Sequence, residues 1–201
     1  MQPLNSRRQT SINVLEKISA MGWGQGYHHA MKLWITIALL LFAAPAFAER
    51  LQFDHRLYPP LQQVLDSGDE SMIDFNDINP ARLVDLIAIK GKSAQSWTEA
   101  LEIVAIRRPS DVETAQDWMA ILQRQALSRC PATFKILAED TTSITFERTS
   151  PNCPAERAQM GLYRLVAGKR SWFQLSILVK GDLDDLSRQQ WLVLLASAQL
   201  R

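Results

Sequence analysis

Cys130 and Cys153 are the most chemically distinctive side chains in this 201-residue chain. Each is followed by proline, which biases the cysteine toward extended backbone. An even pair in an oxidising compartment reads as one disulfide. Closing a loop of about 24 residues stabilises by roughly 3–3.5 kcal/mol on chain-entropy grounds. A redox pair or metal site is the rival reading, but C-x-x-C spacing is lacking, and His55 is the sole histidine after residue 48. A Ser-His-Asp or Cys-His device would have to use His55, and no G-x-S-x-G surrounds any serine. The plainer reading is a histidine on a surface arm.

Carboxylates offer a second chemistry. Glu99 and Glu102 could act as an acid/base pair, although either a strand or a helix would ordinarily turn them toward water. Asp182-x-Asp184-Asp185 superficially resembles a calcium loop, but the central glycine and distal Glu are wanting, so helix capping fits better. There is no G-x-G-x-x-G or Walker-type loop. No cofactor, metal or catalytic residue is therefore assigned. The arginines are the least bland feature. Arg107, Arg108, Arg148, Arg164 and Arg170 fall at strand ends or on outward faces, where aligned strands could present them to an anionic partner. A solvated rim paired with Glu147, Glu156 and Asp111 is the alternative. Trp172 leads a strand on its polar-facing parity, so we expect it at the surface beside the arginines, a composition typical of binding hot spots.

The elements that position these residues follow from periodicity. Leu83–Lys90 and Trp97–Ile106 read as strands, with a helix as the rival for Trp97–Val104 because Glu, Ala and Leu are good helix formers. Ser110-Asp111-Val112-Glu113 is a capping box, followed by an apolar stripe at Ala115, Trp118, Met119, Leu122 and Ala126. Thr133–Glu139, Ser143–Thr149, Gly161–Ala167 and Ser171–Lys180 are further strands. In the last, Phe173, Leu175, Ile177 and Val179 alternate with Gln174, Ser176 and Lys180, which should face out. Gly168 supplies the positive φ of a hairpin loop. A closing helix spans Ser187–Leu200, with Trp191, Leu194, Leu195 and Ala198 on its apolar side. The order β-β-α-β-β-β-β-α implies an α+β fold: an antiparallel sheet with two amphipathic helices packed on it. Residues 49–80 are rich in turn formers (Pro59-Pro60, Ser67-Gly68-Asp69) and read as an irregular N-terminal arm with a short helix at Leu61–Leu65. Residues 81–201 form the single domain.

The first 48 residues read as a leader. Lys32, the apolar run Leu33–Ala44, Pro45, and small residues at Ala46 and Ala48 make a secretory signal, with cleavage expected between Ala48 and Glu49. We place the natural start at Met31, with residues 1–30 an extension. Losing this leader removes Arg7, Arg8, Lys17, Lys32 and Glu16, leaving 18 bases against 20 acids. That balance gives no footprint for nucleic acid or anionic lipid, and no membrane span remains after cleavage.

The run Ser96–Leu101, the helix containing Trp118, Cys130-Pro131, Cys153-Pro154, Gly168-Lys169 and the Trp191 helix together resemble a group of exported bacterial proteins of unknown function. The order of sheet and helices is similar to the PsbP/Mog1/DcrB-type α+β sandwich, over about Arg82 to Leu200. The resemblance implies export and a non-catalytic role, and brings no catalytic residues. The expected function is non-covalent binding of an envelope protein in the periplasm or outside the cell. One alternative is a carrier of a small apolar ligand or lipid, walled by Trp97, Phe173 or Trp191. Another is a hydrolase using carboxylates or His55.

Overall fold

Residues 171–179 alternate most strongly, and they become the central strand. In a computed structural model, which describes residues 49–76 and 82–201, seven antiparallel strands run in the order β2-β3-β4-β8-β7-β6-β5. These are β2 (Ile73–Asn76), β3 (Arg82–Ser93), β4 (Ser96–Arg107), β5 (Thr133–Glu139), β6 (Ser143–Thr149), β7 (Met160–Ala167) and β8 (Ser171–Val179). The signal segment and its Ala48–Glu49 cleavage point lie outside the described residues. The α+β class holds, and Trp97–Ile106 is strand throughout. Helix α2 (Ala115–Leu127) carries the chain from β4 to the far edge at β5. Hairpins then return it through β6 and β7 to pair β8 with β4, Ile106 opposite Trp172.

Both faces of the sheet are covered, so the expectation of a polar, open face needs correcting. α2 lies over β6 and β7. Its Ala115, Trp118 and Met119 form one buried cluster with Ile144, Phe146, Leu165 and Trp172. On the opposite face pack α1 (Pro59–Ser67) and α3 (Asp185–Ala196), with Leu61, Trp191, Leu194 and Leu195 buried. A strand covered on both sides buries both of its parities. Gln174 and Ser176 are accordingly buried rather than outward, and Gln174 Nε2 donates to Ser176 Oγ at 2.7 Å.

Residues 49–80 are more regular than their turn formers suggest. Pro59 and Pro60 open α1, where their missing N–H groups cost nothing, and Gly68 ends it at φ 66°, a left-handed conformation suited to glycine. β2 then adds an edge strand to the sheet. β1 (Leu51–Gln52) pairs with β9 (Gln199–Leu200). Leu51–Arg201 forms one compact unit.

Two helix starts differ from the reading above. The N-cap of α2 is Thr114, not Ser110. Thr114 Oγ1 accepts from the Asp117 N–H at 3.1 Å, and Asp117 Oδ2 accepts from the Thr114 N–H at 2.9 Å. Two boxes of the same form lie four residues apart, and burial of Val112 beneath the helix selects the second by holding Pro109–Glu113 as a loop. α3 is capped by Asp184, which accepts from the Ser187 N–H. It stops at Ala196 so that Leu200 can reach Leu51. Among the described residues, the glycines with positive φ are Gly68, Gly91 and Gly181, and Gly168 is not one of them.

Cys130 and Cys153 are bonded, 23 residues apart, with 5.7 Å between their Cα atoms. The bridge ties the end of α2 to the β6–β7 loop. The double variant Cys130→Ser/Cys153→Ser is expected to lose about 3 kcal/mol of unfolding free energy. Urea melts with and without reductant check this: reductant should lower the wild type to the level of the variant and leave the variant unmoved. Among the described residues, no helix is long and apolar enough to cross a membrane.

The β5–β6 turn gives an acid-sensitive element. Asp140 accepts from the Thr142 N–H, the Ser143 N–H and the Ser143 hydroxyl at 2.7–2.8 Å. These bonds to its ionised form hold the carboxyl down at about 2. Since the unfolded value is about 3.9, the contribution is present above pH 4 and lost as pH falls toward 2. We expect Asp140→Asn to flatten that acid limb of the stability curve. Titration of the Asp140 carboxyl by NMR should show the depressed midpoint directly.

Candidate functional site

Pairing of β4 with β8 places Arg107 opposite Ser171. The next residue, Arg108, donates its backbone N–H to the Arg170 carbonyl at 3.0 Å. The strand end thus meets the β7–β8 hairpin, and the β4–α2 loop folds beside both. The result is an open groove lined by Arg107, Arg108, Ser110, Thr114, Lys169 and Arg170, with Glu113 as an acid on the rim. Arg107, Lys169 and Arg170 are exposed. Guanidinium and ammonium groups so placed can take carboxylates by charge-assisted hydrogen bonds.

Arg108 behaves differently. Its Nη2 donates to the Glu113 carbonyl at 2.7 Å, and its Nε and Nη1 reach the Val112 and Gly168 carbonyls at 3.4 Å. Its Cζ stands 5.3 Å from the centre of the Trp172 ring. Trp172 is fully buried, edge-on to Trp118 at 5.3 Å. This corrects the expectation of a surface Trp172: α2 covers the face that its parity assigns to solvent.

The arginines divide further. Arg148 sits at the far end of β6, opposite Gly161, and donates to the Ala158 carbonyl at 2.7 Å. Arg164, half-buried in mid-sheet, donates to Thr145 Oγ1 at 3.1 Å; burial lowers its pKa. Neither joins the groove. Glu147 pairs with Arg188 of α3, rather than with a rim arginine.

A second polar cluster is internal. Glu99 is 2% exposed. Its Oε1 accepts from Tyr58 Oη at 2.6 Å and from Trp191 Nε1 at 2.7 Å, while Lys90 Nζ lies 2.7 Å from Oε2. Desolvation and this carboxylate push the Tyr58 phenol well above its ordinary range. Glu102 is three residues on and therefore on the opposite face of β4, aligned with Ser176. Burial raises its pKa against the opposing pull of Arg82. Both carboxylates thus turn inward, contrary to the sequence reading, because both faces are covered. Separated by the sheet, they cannot work as an acid/base pair on one substrate.

Beside His55, the Asp54 carboxylate pairs with Arg56 at 2.8 Å. Among the described residues, no group of three or more His, Cys, Asp or Glu is placed to hold a metal. Of the suggested pocket walls, Phe173 and Trp191 are core residues, and the Trp191 ring lies 3.8 Å from that of Tyr58. Trp97 is half-buried with Lys180 Nζ 4.2 Å from its ring centre. Sequence reasoning singles out Glu99 but misses its buried cluster, whose donors lie 41 and 92 residues away, and it misses the split role of Arg107-Arg108. No protein-family model matches the chain, and comparison with curated proteins finds no match.

Proposed function

We propose that this chain is an exported, non-catalytic binding protein of the cell envelope that engages an acidic segment of another protein through the basic groove. One observation carries the reading: Arg107, Lys169 and Arg170, from segments some sixty residues apart, line one groove at one end of the sheet. The Cys130–Cys153 bridge is compatible with an oxidising compartment. The sheet between helical layers is compatible with the PsbP/Mog1/DcrB-type sandwich that the sequence resembles.

Crosslinking in envelope extracts, followed by mass spectrometry, tests the proposal. The wild type should recover a reproducible partner with an acidic stretch at the crosslink. Arg107→Glu/Arg170→Glu should weaken that complex at least tenfold, which corresponds to about 1.4 kcal/mol, while melting as the wild type does. Charge at an interface rim acts mainly on association rate and salt dependence, so the loss should shrink at high salt. Recovery of no reproducible partner, or an unchanged complex with the double variant, overturns it.

A further inference from the structure

We infer that Arg108 is the positioning residue of the groove: it fixes the spacing of the two loops that carry the exposed cations, and offers no charge to the partner itself. The inference rests on the groove reading above. Four cationic residues line the groove, and Arg108 directs its guanidinium at backbone carbonyls on both sides of it. Val112 and Glu113 belong to the β4–α2 loop, and Gly168 opens the β7–β8 hairpin. A planar fork with five N–H donors can join such a set; an ammonium on a flexible stem cannot hold the same directions. The floor beneath it is rigid, because the guanidinium lies over Trp172 and Trp172 is wedged against Trp118. A cation held over a buried indole adds attraction of its own. The two loops therefore keep a set separation without a partner, and Arg107, Ser110, Lys169 and Arg170 ride on them. Preorganisation of this kind favours affinity by removing the cost of ordering side chains and loops on binding.

The test compares variants of equal charge in the full chain, below the melting temperature of each. The probe is a fluorescein-labelled decapeptide of Glu and Ser, followed by anisotropy at several salt concentrations. Arg108→Lys should weaken peptide binding at least tenfold while keeping the wild-type salt slope, since no ionic contact is removed. Arg107→Lys should weaken it less than threefold, and Arg107→Ala should flatten the slope. Amide exchange at Val112 and Gly168 should quicken at least tenfold in Arg108→Lys and stay unchanged in Arg107→Lys. If Arg108→Lys binds and exchanges as the wild type does, the inference is wrong. If Arg108→Lys binds normally although its loops loosen, it is wrong as well, since loop spacing then does not govern affinity. A wild type that ignores the peptide overturns the groove reading instead, and the exchange result still decides whether Arg108 holds the loops.

Discussion

Glu99→Ala should lower unfolding free energy by about 3–5 kcal/mol, the range for removing one partner of a buried ionic group. The reasoning turns on which contacts are lost. Lys90 is 54% exposed, and an ion pair on that side of the molecule contributes at most about 1 kcal/mol. The Tyr58 hydroxyl and Trp191 indole N–H matter more, because both residues are fully buried and both donate to Oε1. Truncation leaves two donors in an apolar site, each costing about 1–3 kcal/mol. Glu99→Gln keeps an acceptor and should fall between the wild type and alanine. Lys90→Ala should cost no more than about 1 kcal/mol. Urea denaturation of the four proteins gives the ranking. A loss under 1 kcal/mol for Glu99→Ala would show that water replaces the carboxylate and that the cluster is not a tie.

Trp172→Ala is the second large effect, at about 3–5 kcal/mol for a fully buried aromatic. It separates two pictures of the same residue. A surface hot spot would lose binding and keep its stability; a core indole under α2 loses stability first. Trp172 Nε1 finds no hydrogen-bond partner among the described residues. Trp172→Phe therefore sacrifices volume and ring area without breaking a bond, and should cost clearly less than alanine. Chemical denaturation at one temperature checks both. Equal losses for Phe and Ala would mean that the indole is held by something other than packing.

The contrast between legible and illegible parts has physical causes. Strands β6 and β8 were readable because long alternation survives even when both faces are buried. The β7–β8 hairpin was readable from its length and its Gly-Lys-Arg loop, although the expected φ at Gly168 was not needed. Strands of two and four residues, such as β1, β9 and β2, contain too few positions to show a period. Trp172 was misplaced because parity relative to Gln174 and Ser176 signals water only when nothing packs on that side. Glu99 was misjudged for a related reason: a carboxylate's burial depends on donors that arrive from distant segments. The cations of the basic groove are visible in the sequence, since Arg107-Arg108 and Lys169-Arg170 stand out as pairs. That Arg108 serves the backbone while Arg107 faces solvent was not visible, because neighbours in a chain differ only in which way the fold turns them.

The pairing of Leu51 with Leu200, reinforced by the Asp54 N–H donating to Ser197 Oγ at 3.0 Å, bears on how the molecule is made. A polypeptide delivered front-first, from a ribosome or through a translocation pore, presents β1 and Tyr58 long before their partners exist. Closure must wait for Trp191 and the final strand, so the leading segment stays unlatched throughout delivery. Closing a loop from Leu51 to Leu200 brings together residues far apart in sequence, which slows folding. Gln199–Leu200 is thus the latch, and deleting it should leave a chain that gathers its central sheet yet cannot fasten Leu51–Gln52.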